Sequence, residues 1–124
     1  MSDDADLYQL VHQVVAGLDA PAKAQRRVRD RHPFPCNQSI AFLTQQRMPY
    51  AKEFEQVRCR DLSEGGVSFY YEEPPPSNQL VLGLGLETNP SYFLCEVRHW
   101  NKVRGAAGAF CIGCMFVRRV TLLR

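Results

Sequence analysis

Apolar residues at positions 7, 10, 11, 14, 15 and 18 recur at the spacing that gathers them on one face of an α-helix. Asp3, Asp4 and Asp6 precede them, where acidic side chains suit the positive end of a helix, and Gly17 lies near the expected stop. The pattern predicts one amphipathic helix within residues 1–20. Ala20-Pro21-Ala22-Lys23 breaks it. Pro33 and Pro35 then exclude further helix and favour an extended path, which makes residues 21–35 a connector.

Beyond Pro35 the period changes from helical to strand-like, with short apolar runs separated by turn residues. About six strands are expected, over 37–45, 54–62, 66–71, 79–86, 92–103 and 109–120, in an all-β barrel or sandwich over residues 36–124. The breaks include Pro74-Pro75-Pro76, Thr88-Asn89-Pro90 and Arg104-Gly105-Ala106. Leu80, Leu82, Leu84 and Leu86 share one face, as do Phe110, Ile112, Cys114 and Phe116, and both faces should line the core. In the second strand Val57 and Cys59 set an inward phase, but the next apolar residue is Leu62, so the alternation slips at Arg60 or Asp61. A β-bulge there is the economical explanation, and bulges are over-represented beside functional sites.

The 124 residues suffice for one domain with a modest core, and the 45% hydrophobic, 23% charged composition is that of a globular protein. The apolar runs are too short to cross a bilayer, and the acidic first residues lack the pattern of a secretory leader, so a cytoplasmic location is expected. Five cysteines, an odd number scattered through apolar stretches, read as free thiols rather than a disulfide framework. The net charge of +2 is small but uneven. Residues 1–20 carry four aspartates and no Lys or Arg, whereas the next eleven carry Lys23, Arg26, Arg27, Arg29 and Arg31 against Asp30.

That basic connector, with Arg27-x-x-x-Arg31, and the later Asp61-Leu62-Ser63-Glu64-Gly65-Gly66 are the chain's two candidate binding motifs. A guanidinium offers a phosphate a planar fork of donors, and its flat face stacks on a purine. Asp61 can accept from the N1 and N2 donors of a guanine edge, Ser63 can donate or accept nearby, and a two-residue separation puts both on one strand face. Gly66 permits close backbone approach. A small anionic ligand carrying guanine fits this set.

In order and context, Arg-x-x-x-Arg leading into a barrel that carries Asp-x-Ser-x-x-Gly resembles the PilZ domain, a bacterial receptor module for cyclic di-GMP. Arg31-His32-Pro33-Phe34 is similar to the family's passage into its first strand, and Gly113-Cys114-Met115-Phe116 to its closing strand. The resemblance covers residues 25–120. It implies a six-stranded antiparallel barrel and a non-enzymatic receptor. Arg27 and Arg31 would hold phosphates and stack on guanines, and Asp61, Ser63 and Gly66 would form the barrel side of the pocket. Arg26 extends the first motif, and an added cation suits a second, intercalated ligand. A downstream protein partner is implied, with no role for DNA or RNA.

The remaining signals have plainer readings. Cys111-Ile112-Gly113-Cys114 is a lone CxxC on a strand, where residues three apart face opposite sides, and His12, His32 and His99 have no partner at chelating spacing, so no metal or cofactor is expected. Trp100 suits rim packing, and Gly83-Leu84-Gly85 a strand irregularity. No nucleophile and base can be paired from spacing, so catalysis is not expected. The alternatives to a cyclic di-GMP receptor are a PilZ-like protein-interaction module that binds no nucleotide, and a small nucleic-acid-binding barrel, which the modest net charge disfavours. The chain ends soon after the last expected strand, and the stripe from Leu7 to Leu18 suits a cover for the open barrel end. Deleting residues 1–20 should therefore expose apolar surface and lower the melting temperature; an unchanged thermal melt would refute that role.

Overall fold

The computed structural model describes residues 32–63, 65–85, 90–105 and 109–122. These form seven strands: β1 His32–Pro33, β2 Asn37–Phe42, β3 Glu55–Leu62, β4 Gly66–Tyr71, β5 Gln79–Leu84, β6 Ser91–Lys102 and β7 Phe110–Val120. The sheet order is β1-β3-β2-β5-β6-β7-β4, and an additional β3–β4 pairing closes six strands into an antiparallel barrel. The expected strands all occur, with boundaries shifted by a few residues. The expected helix over residues 1–20 lies outside the described residues.

One strand lies within the expected connector. His32 and Pro33 pair with Leu62 and Asp61, so β1 lies outside the six-stranded ring, against the far end of β3. Pro33 is tolerated there because an outer strand does not need every N–H. Phe34 N–H donates to the Arg60 carbonyl (3.0 Å) and Cys59 N–H to the Cys36 carbonyl (2.8 Å), so β1 and β2 follow the same edge of β3 with little interruption.

The core follows the two-residue period. Leu80, Leu82 and Leu84 from β5 meet Ile112, Cys114 and Phe116 from β7, joined by Phe34, Ile40, Phe69 and Phe93. Leu86 lies outside the described residues, and Phe110 is half-buried at the rim, edge-to-face with the exposed Trp100 at 5.6 Å between ring centres. None of the five cysteines forms a disulfide. Cys114 belongs to the core, whereas Cys111 is one of the residues of the opposite face, its Sγ accepting from Arg60 Nη1 at 3.7 Å.

The phase slip in β3 is a register step. Cys59 pairs with Phe69, but Asp61 pairs with Ser68, leaving Arg60 as the extra residue. With unbroken alternation Asp61 would point inward after Val57 and Cys59, and Leu62 outward. The step reverses this: Leu62 is fully buried in the core and the Asp61 side chain stays 21% exposed. A carboxylate in this apolar interior would lose hydration without a countercharge.

The turn after β3 is closed by a backbone approach. A Cβ built on Gly66 would stand 2.0 Å from the Cys114 carbonyl oxygen of β7, a backbone atom that cannot swing aside. Gly66 pairs with Met115 there, and Phe116 N–H donates to the Gly65 carbonyl (2.9 Å). Gly66 is thus required by the β4–β7 contact. On the opposite side, the β2–β3 connection is held by a twin Arg47–Glu53 hydrogen bond (2.8 Å each) and a 3-10 turn over Ala51–Glu53, and Phe54 packs edge-to-face on Tyr92.

Gly66→Ala should force β4 away from β7 and destabilise the protein by about 3 kcal/mol, the upper end for overpacking. Urea unfolding measures this; a variant as stable as wild type would show that the strands part without cost.

Candidate functional site

The two halves of Asp61-x-Ser63-x-x-Gly66 have different roles in the fold. Asp61 stands on the β3 bulge, where the Ser68 hydroxyl of β4 donates to its Oδ1 at 2.8 Å. The Arg60 Nε lies 3.9 Å from Oδ2. The carboxylate is therefore oriented by its neighbours while remaining partly open to solvent.

Ser63 does not share a strand face with Asp61 as the spacing implied. It lies beyond the end of β3, in the turn, and is 3% exposed. Its Oγ accepts from the N–H groups of Gly65 (3.1 Å) and Gly66 (3.3 Å), and its own N–H donates to the Gly66 carbonyl (2.9 Å). A serine hydroxyl that satisfies turn amides in this way fixes the turn. Ser63 and Gly66 thus shape the loop and hold β4 to β7, and Asp61 is the member of the motif whose side chain faces outward.

Arg26, Arg27 and Arg31 lie outside the described residues. The described chain begins at His32, whose register partner is Leu62, the residue after Asp61. The arginine-bearing segment is thereby joined covalently to the barrel beside the acidic motif. Arg60 is a further cation on the same bulge, largely exposed, with its guanidinium divided between Asp61 and the Cys111 sulfur.

Two contributors escaped the sequence reading. Arg60 was implicit in the phase slip, because the residue that breaks alternation is set beside its neighbour on the outer face. Ser68 had no signal of its own: it meets Asp61 only through the β3–β4 register. Among the described residues, concavities also lie elsewhere, around Ala41 and Arg47, around Ser39 and Tyr92, and around Tyr50 and Arg119. Among the described residues no group of three His, Cys, Asp or Glu side chains is placed to hold a metal.

No family model matches the chain, and no curated protein matches it.

The Asp61–Ser68 bond makes a direct prediction. Ser68→Ala should lower stability by about 1–2 kcal/mol, the range for a hydrogen bond to a charged acceptor that keeps some solvent. Chemical denaturation checks it, and an unchanged midpoint would show that Arg60 and solvent hold the carboxylate equally well.

Proposed function

We propose that the protein is a cyclic di-GMP receptor of PilZ type, with the ligand bridging the Arg26, Arg27 and Arg31 segment and the Asp61 corner of the barrel. One observation carries this reading. Asp61 is held outward on a bulge, fixed by Ser68, at the point where the arginine-bearing segment joins the barrel. A carboxylate in that position accepts from guanine N1–H and N2–H, which adenine does not offer in the same arrangement. The arginines supply phosphate binding and base stacking that an acidic corner alone lacks.

The architecture supports the same reading, since a closed six-stranded antiparallel barrel is what the motif order led one to expect. The roles are distributed differently from a simple list of contact residues. Arg26, Arg27 and Arg31 neutralise phosphate, Asp61 selects guanine, and Ser63 with Gly66 maintains the turn between them. No chemical step is required. The output is a change in how the arginine segment sits relative to the barrel, read by a protein partner.

Calorimetry with cyclic di-GMP tests the proposal. Wild type should bind, Arg27→Ala and Asp61→Ala should each weaken binding about tenfold or more, as expected when a charge-assisted hydrogen bond is lost. Affinity should fall with added salt because the phosphate attraction is screened. A Kd no better than millimolar for wild type, or equal affinity in the two variants, overturns the reading.

A further inference from the structure

Asp61 is the first residue of a lateral row that crosses four strands. It pairs with Ser68 on β4, Ser68 with Gly113 on β7, and Gly113 with His99 on β6. The residues flanking this row, among them Leu62, Val67, Phe69, Ile112 and Cys114, belong to the core, so the row lies on the outer face. Its members are hydrophilic or without a side chain, in a barrel whose opposite face is apolar.

Both ends of the row sit on register steps. On β3 the extra residue is Arg60; on β6 the pairing jumps from Val97–Cys114 to His99–Gly113, leaving Arg98 as the extra residue. Arg98 turns to Glu96, with Nη1 3.4 Å from Oε1. His99 turns the other way, over β7: a Cβ on Gly113 would stand 2.4 Å from its Cε1, 2.7 Å from Nε2 and 3.2 Å from Nδ1. The polar edge of the imidazole therefore occupies the space that a side chain at 113 would fill. His99 remains an exposed residue.

The Asp61 carboxylate is anchored on β4, and the imidazole edge lies over β7, strands that are neighbours in the ring. Adjacent strands are about 4.8 Å apart, so acceptor and imidazole stand at neighbouring strand positions on one outer face. Guanine carries donors on its N1/N2 edge and acceptors at O6 and N7. An acceptor facing N1–H and N2–H and an N–H facing the adjacent O6 match neighbouring positions along one guanine edge.

We infer that His99 is a further ligand-binding residue, donating an imidazole N–H to O6 of the guanine whose N1/N2 positions meet Asp61, with Gly113 providing the space in which the ring lies. This rests on the proposed cyclic di-GMP reading and extends its site from one strand corner to four strands. Sequence spacing gives no hint of it, since His99 and Asp61 are brought together only by two intervening strands.

Calorimetry on the full chain with cyclic di-GMP, with wild type, Asp61→Ala, His99→Ala and Gly113→Ala compared, tests it. His99→Ala should weaken binding about fivefold, the loss of one hydrogen bond, with an unchanged melting temperature. Gly113→Ala should weaken it similarly, because its new methyl group displaces a movable side chain end rather than backbone. The His99 Cε1–H proton resonance should shift during titration of wild type. Affinity unchanged in His99→Ala, in a protein whose Asp61→Ala variant has lost it, overturns the assignment of His99 alone. Absence of binding by wild type removes this inference together with the reading on which it rests.

Discussion

One extra residue in β3 governs the arrangement of everything near the site. Strand alternation is strict, so Val57 and Cys59 facing inward commit Asp61 to the interior unless the register steps. The step at Arg60 lets Leu62 fill the core and leaves Asp61 outside, within reach of the Ser68 hydroxyl. The desolvation cost of a buried carboxylate and the gain from burying a leucine favour the same geometry. β3 is also the strand that closes the barrel, pairing with β4 on one edge and with β2 and β1 on the other. The bulge is thus held from both sides.

Closure also explains why the motif residues are not interchangeable. Gly66 meets the Cys114 carbonyl too closely for any side chain, and Ser63 satisfies the amides of the turn that delivers Gly66 to that contact. These two residues shape the backbone of the turn. Asp61 instead presents its own side chain. A motif that reads as three contact residues is therefore one outward carboxylate and a two-residue support.

Much of the fold was legible from local pattern. The leucines of β5 and the alternating residues of β7 were placed on the core face, the CxxC was divided between two faces, and the break in alternation located the bulge to within a residue. These features depend on a two-residue period that any strand imposes on its own side chains. β1 falls within the expected connector because Pro33 and Pro35 exclude helix and favour only an extended path there, and it is the outer edge of β3 that turns this path into a strand in which the missing N–H of Pro33 is tolerated. Ser63 was placed on the strand face because the end of β3 cannot be fixed by spacing alone.

Side-by-side neighbours were out of reach of that kind of reasoning. Ser68, Gly113 and His99 meet Asp61's row because three antiparallel registers, two of them containing an extra residue, bring together positions up to 52 apart in the numbering, from 61 to 113. Periodicity along the chain thus dictated which residues face inward, where the acidic motif falls and that the barrel must slip beside it. Which polar groups stand next to that motif was left to barrel closure, because register is a property of pairs of strands, set jointly by core packing and backbone hydrogen bonds, and belongs to no single stretch of sequence.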